Sequence, residues 1–286
     1  MSIVVTGATG GLGSLIVQYL LKRVPTSEII VTVRHPEKAT ALAEQGIEVR
    51  YGDYDDPSSL QKAFAGADKL LLISSPLLDD TARIRQHATA IEAAKNAKVG
   101  HIIYTGVGYA EKIGMTLARV HLASEQALRT TGIPYTVLRN AFYTHLYVNP
   151  GLKAAIERGE LVTSAGNGKL NTATRNNFAL AAATILTQKG HENKIYELTA
   201  SQPWTFDDLA QILSQVSGKK VVHRSVSESE IGAELKQSGM PEDFIPFQIM
   251  IYRTIASGEF ASTSDDLQKL IGSAYTPIET SVRELF

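Results

Sequence analysis

The chain has 286 residues, enough for one large domain or for a domain of ordinary size with a smaller lobe. Hydrophobic residues make up 44% and charged residues 20%, which predicts a sizeable core. The formal net charge is -1, so no electrostatic pull toward nucleic acid or an anionic membrane is expected, and with no cysteine, disulfides and thiolate chemistry are excluded.

Met1 to Gly7 lacks the basic region and long apolar region of a signal peptide. No apolar run approaches the roughly 18 residues of a membrane span. A soluble, cytoplasmic protein without a membrane or nucleic-acid partner is expected. Short β-branched runs then alternate with helical patterns. Strands are predicted at Ile3 to Thr6, Ile29 to Val33, Ile47 to Tyr51, Leu70 to Ile73, His101 to Thr105 and Tyr135 to Leu138. Amphipathic stretches such as Leu12 to Lys22 and Ala82 to Ala97 lie between them. This is the spacing of repeated βαβ units, which require a parallel sheet with helices on both faces. Leu70 to Ile73 is apolar without alternation, as a strand covered on both faces should be. The predicted fold is therefore α/β, a doubly wound parallel sheet of the Rossmann type.

The pattern changes after about residue 140. Pro150-Gly151 and Gly166-Asn167-Gly168 read as breaks or turns. Lys194 to Leu198 reads as a strand, Thr205 as a helix cap followed by acids in the first turn, and Val221 to His223 as a short strand before mostly helical material. We expect a nucleotide-binding domain over 1–150 and a smaller, mostly helical lobe over 151–286, interleaved with it.

Gly7-Ala8-Thr9-Gly10-Gly11-Leu12-Gly13 sits between the first strand and the first helix. A helix N-terminus presents unpaired N–H groups and a partial positive charge, so it attracts a pyrophosphate. Glycines let the backbone turn tightly and approach the ligand. A glycine cluster alone is weak; in this strand–turn–helix context it is strong. The second strand ends in Val33-Arg34-His35, with no acid to bond ribose hydroxyls. Arg34 offers a planar fork to a 2′-phosphate, and Lys38 adds a second positive charge. NADPH is the expected cofactor, with NADH the weaker alternative. Asp53 and Tyr54 follow strand three; Asp53 suits either the adenine or its own turn. Ser74, Ser75 and Pro76 follow strand four at the carboxyl edge, where the ligand crevice should open.

Strand six leads into Asn140, Ala141, Phe142 and Tyr143, at the same sheet edge as the glycine turn and so beside the nicotinamide. Phe142, Tyr143, His145 and Tyr147 form one aromatic cluster, and Phe244, Phe247 and their apolar neighbours a second run. Two such surfaces facing each other would make a slot for a flat aromatic substrate, although runs of this kind are usually core. Tyr109, Tyr143, Tyr147, Phe244 and Phe247 are the predicted lining. Arg175 holds either the cofactor or the lobe.

The spacing of the glycine turn resembles the short-chain dehydrogenase/reductase superfamily, especially its extended and atypical members. The usual Tyr-x-x-x-Lys pair of that superfamily is missing: the residues four beyond Tyr104, Tyr109, Tyr135 and Tyr143 are Gly108, Ile113, Arg139 and Tyr147. His121 and Glu125 stand on the helix where the pair belongs. His121 is a candidate proton donor, since an ordinary imidazole titrates near neutrality; a structural helix pair with Glu125 is the alternative. No metal site is expected.

Val5 to Gly10, Val33-Arg34, Gly52-Asp53-Tyr54, His121 to Glu125, Leu138 to Ala141 and the tract from Gln202 to Val221 together resemble the atypical short-chain reductases of the NmrA-like type. The likeness is nearest to members that reduce triphenylmethane dyes, and next to those that reduce quinones. It implies an NADPH-dependent reductase that needs no flavin or metal. It places Gly7 to Gly13, Arg34, Ser74 to Pro76 and Asn140 to Tyr143 on NADPH. The chain departs from this pattern at Gly11, where Gln is common, and around Val107-Gly108-Tyr109, which puts the dye preference in question. The same group includes dinucleotide-binding redox sensors, which remain the alternative function. Helices flanking a sheet often build dimers, so a homodimer is permitted but not required.

Overall fold

The computed structural model describes residues 1–286. Five βα steps and a sixth strand lay down β1 (Ile3–Thr6), α1 (Gly13–Leu21), β2 (Ile29–Val33), α2 (Thr40–Ala43), β3 (Glu48–Tyr51), α3 (Pro57–Ala63), β4 (Lys69–Leu72), α4 (Asp80–Asn96), β5 (His101–Val107), α5 (Thr116–Thr130) and β6 (Tyr135–Asn140). The chain continues through β7 (Phe142–Tyr143), α6 (Leu152–Arg158), β8 (Glu160–Thr163), β9 (Thr172–Ala173), α7 (Arg175–Thr187) and β10 (Lys194–Leu198). It closes with α8 (Phe206–Ser217), β11 (Val222–Ser225), α9 (Glu228–Gln237), α10 (Ile245–Ala256), α11 (Asp266–Ile271) and α12 (Ile278–Arg283).

Seven parallel strands form one sheet in the order β10-β6-β5-β4-β1-β2-β3. Successive side chains of a strand point to opposite faces, and the core divides accordingly. Ile3, Val5, Leu71 and Ile103 pack under α1, α7 and α11, whereas Val4, Leu70, Leu72, Ile102 and Tyr104 pack under α3, α4 and α5. Both faces of β1, β2 and β4 are buried, which is why these strands are apolar without alternation. The second half of the chain returns to this sheet: β10 pairs with β6 and α7 lies against α1.

β5 and β6 run two residues longer than their sequence predicts. Gly106, Arg139 and Asn140 are poor strand formers, yet Gly106 pairs with Arg139 and Val107 with Asn140. The extension carries both strands to the ligand edge. A third core cluster, with Trp204, Phe206, Leu213, Ile255 and Phe260, underlies the remaining lobe. Two short parallel ribbons, β7 with β9 and β8 with β11, tie that lobe together. Trp204 meets Tyr147 and Phe206 edge-on, and its Nε1 donates to Thr172. Thr174 and Thr205 each cap a helix through a reciprocal box, with Asn177 and Asp208 respectively; each cap contributes about 1 kcal/mol. No helix is long and apolar enough to cross a membrane.

Candidate active site

The strand order reverses between β1 and β4, and a cleft opens there beyond the carboxyl ends of the strands. It has a volume of about 580 Å³ and is lined by Gly7, Thr9 to Gly13, Arg34, Lys38, Asp53, Tyr54, Ser74, Ser75 and Pro76, among others. Ala8 is buried behind it. Gly7 has φ +61°, the left-handed region that favours glycine, and its carbonyl accepts from Gly10 N–H at 2.9 Å. A Cβ on Gly13 would lie 2.2 Å from that carbonyl oxygen, so only glycine lets α1 begin there. Helices α3, α4, α7, α8 and α9 carry side-chain caps, but α1 has none. Gly11, Leu12 and Gly13 at its start line the cleft, where a helix N-terminus favours an anion. Thr32 Oγ1, on the cleft wall, is buried and has no partner.

Arg34 and Lys38 stand exposed at the cleft mouth. Asp53 lines the cleft while its Oδ1 accepts from Asp55 N–H at 3.0 Å. Tyr54 is internally satisfied: its hydroxyl donates to Ile73 O at 2.6 Å and meets Thr6 Oγ1 at 2.7 Å, and burial pushes it well above the usual phenol range. Arg175, the first residue of α7, lies at the rim. Its guanidinium would be 3.2 Å from a Cβ on Gly11 and stands 5.9 Å from the centre of the Tyr143 ring. The small residue at Gly11 thus makes room for Arg175.

Ser74 also borders a second cavity of about 360 Å³. Asn140 to Tyr143, Leu146 and Tyr147 form one wall; Phe247, Gln248 and Ile251 of α10 form the facing wall; Arg83, Thr105 and His121 form the floor. Residues of both predicted aromatic surfaces thus line one cavity: Phe142, Tyr143 and Tyr147 from the first, Phe247 and Ile251 from the second. Asn140 Oδ1 is buried without a partner on this wall. Two predicted lining residues are absent from it. Phe244 is 47% exposed, because the chain makes a 3-10 turn over Glu242–Phe244 and α10 begins only afterwards. Tyr109 borders a separate small pocket, held by a hydroxyl bond to Thr263 O and a backbone bond to Glu197.

The expectation of a near-neutral His121 is overturned. Burial foremost, then Arg83 and His87, pushes its pKa down to about 3. Arg83 Nη2 lies 3.4 Å from His121 Nε2, and a guanidinium has only donors, so Nε2 accepts. The imidazole proton then sits on Nδ1, 2.7 Å from Tyr104 Oη. His121 is thus neutral at physiological pH, with its proton turned away from the cavity. Nor do His121 and Glu125 pair. Glu125 is fully buried and accepts two 2.8 Å bonds from Arg139, which also binds Glu111 and Glu197. The residue four beyond Tyr135 is thus a structural arginine that joins β6, β10 and α5.

Sequence reasoning missed Arg83, Thr105, Leu117, Leu146 and Gln248 on the second cavity, whereas Ile251 belongs to the predicted second apolar run. Arg83 and Arg85 both lie on α4, and only the turn of the helix separates the one that lines the cavity from the exposed one that meets Asp55.

Fold and site together define a doubly wound short-chain reductase scaffold without the Tyr-x-x-x-Lys pair, its nucleotide cleft opening on an aromatic-lined cavity. The chain belongs to the NmrA-like family, which it matches over residues 1–279. It is 41% identical to quinone oxidoreductase 2 of Escherichia coli (strain K12), over 99% of this chain and 98% of that one. The crystal structure of that enzyme complexed with NADPH superposes with a TM-score of 0.93, covering 99% of each chain. The Citrobacter sp. triphenylmethane reductase complexed with NADP(H) superposes with a TM-score of 0.97 at 57% identity, covering 100% of both chains.

Proposed function

We propose that the protein is an NADPH-dependent reductase that passes hydride directly to a flat, electron-poor aromatic acceptor, a quinone or a triphenylmethane dye. The observation that carries this reading is the junction at Ser74, where the nucleotide cleft meets the aromatic-lined cavity. A dinucleotide laid along the cleft brings its nicotinamide to the mouth of the cavity. NADPH supplies the hydride from the nicotinamide C4. The protein's part is to bind both rings, exclude water and hold them at reacting distance. Neither flavin nor metal is called for by a transfer between stacked rings.

Gly7 to Gly13 and the start of α1 would hold the pyrophosphate, aided by Arg175. Arg34 and Lys38 would hold the 2′-phosphate, and Asp53 the adenine side. Ser74 to Pro76 would follow the ribose and phosphates, and Asn140 to Tyr143 would border the nicotinamide. The two Escherichia coli and Citrobacter relatives, with their NADPH and NADP(H) complexes, support this placement. A reductase that draws on NADPH belongs with the soluble NADPH pool of the cytoplasm. A dinucleotide sensor would leave the second cavity without a use.

The test is NADPH oxidation by the purified protein with a simple benzoquinone and with malachite green in parallel, beside NADPH binding followed by fluorescence. Turnover with either acceptor is expected. Binding without turnover across both acceptors would overturn the reductase reading.

A further inference from the structure

The acceptor cavity holds one cation and no carboxylate. Arg83, in the first turn of α4, lines the cavity, and none of the sixteen lining residues is acidic. Arg83 takes part in none of the protein's ion pairs. Its Nε is buried without a partner, and its one side-chain hydrogen bond is the 3.4 Å approach to His121 Nε2. By contrast, Arg139 is surrounded by three carboxylates. An arginine kept half-buried and unpaired in a mostly apolar cavity is held at a desolvation cost, which an arriving anion would offset.

A fixed backdrop orients it. Ser75 N–H donates to His87 Nε2 at 2.8 Å, and the His87 Nδ1 proton reaches Ser124 Oγ, also at 2.8 Å. Tyr104 and His121 pack against this pair, and the 2.7 Å bond between His121 Nδ1 and Tyr104 Oη holds the imidazole beside Arg83. Neutral His121 presents a lone pair to the guanidinium without competing for its charge.

We propose that Arg83, positioned by His121, binds the oxyanion formed on the acceptor, and that the protein's acceptors are therefore quinones rather than cationic triarylmethyl dyes. The proposal rests on the reductase reading above and narrows it. A quinone that takes up hydride, two electrons and one proton together, becomes a hydroquinone monoanion. Its negative oxygen is the group Arg83 faces until water supplies the second proton. Charge that appears only as hydride arrives is stabilised more in the transition state than in the bound quinone, so Arg83 accelerates the step itself. A triarylmethyl cation has no such oxygen. Hydride merely discharges it, and before that its charge repels Arg83. The aromatic walls alone accept either molecule, so discrimination falls to the arginine.

The experiment compares wild type, Arg83→Met and Arg83→Lys with a neutral benzoquinone, a naphthoquinone sulfonate and malachite green, with NADPH affinity measured alongside. Wild type should favour both quinones over the dye. Arg83→Met should lower quinone kcat/KM by about 10- to 100-fold, the loss of one charge-assisted donor. It should leave NADPH affinity unchanged and dye turnover undiminished, and Arg83→Lys should recover part of the quinone rate. Normal quinone turnover with an unchanged quinone-to-dye ratio in Arg83→Met would overturn the proposal alone. No wild-type turnover with any acceptor would overturn the reductase reading and the proposal together.

Discussion

Gly13→Ala is the sharpest perturbation of the nucleotide cleft. The new Cβ would meet Gly7 O at 2.2 Å, Gly7 C at 2.8 Å and Ala8 Cα at 2.9 Å, all backbone atoms that have no rotamer to change. Such contacts essentially never close below 3.0 Å, so α1 and the turn must separate by at least 3.0 minus 2.2, or 0.8 Å. A phosphate hydrogen bond of about 2.9 Å would stretch to about 3.7 Å, beyond bonding distance. Losing one charge-assisted bond costs about 1.5–3 kcal/mol, or about 10- to 150-fold in affinity. The assay is NADPH titration by fluorescence, paired with urea unfolding. Gly66→Ala is the control: its φ of +75° strains any side chain, but a Cβ there meets nothing within 4 Å. The control should lose some stability and keep its NADPH affinity. Wild-type affinity in Gly13→Ala would refute the placement of the pyrophosphate on this turn.

Three further outcomes are expected. Arg34→Gln should raise the KM for NADPH about 10- to 100-fold, through loss of an Arg–phosphate pair, and leave that for NADH nearly unchanged; steady-state kinetics with both cofactors checks this. Arg139→Met should destabilise the fold by about 3–5 kcal/mol in urea, because it leaves the buried Glu125 carboxylate with only the longer 3.6 Å contact to Arg129, and adding Glu125→Gln should restore part of the loss. Stability should also fall in mild acid. His87 and His121 are held down to about 4 and about 3, against 6.5 for an ordinary imidazole. The unfolded chain therefore gains protons first, and the stabilising contribution, complete above 6.5, is lost as pH falls toward those values. Each imidazole removes up to about 1.4 kcal/mol per pH unit, so urea midpoints at pH near 7 and near 5 should differ visibly.

The sheet was legible because its strands are buried on both faces and its crossovers have regular length. Ile3–Thr6, Ile29–Val33 and Lys194–Leu198 begin and end where their composition says. The glycine turn was legible because backbone geometry allows only one residue type at Gly13. The acceptor side was harder to read. Phe247 and Phe244 look equivalent in a linear pattern, and only the 3-10 turn before α10 separates them. Tyr109 was drawn away from the cavity by Thr263, 154 residues distant in the chain. His121 has an ordinary pKa by composition; its depression depends on burial against Arg83 and His87 from another helix. Glu125 gave no sign in the sequence that its partner was Arg139.

Direct hydride transfer between two rings that meet at Ser74 is the step on which the proposed function depends. A single-turnover experiment tests it most directly, with flavin-free protein, a benzoquinone and NADPH deuterated at C4 on one face or the other. Direct transfer should give one hydroquinone per NADPH consumed, no semiquinone signal, and a primary isotope effect for one face only. Semiquinone accumulation, or bound NADPH that persists in the presence of quinone, would contradict it.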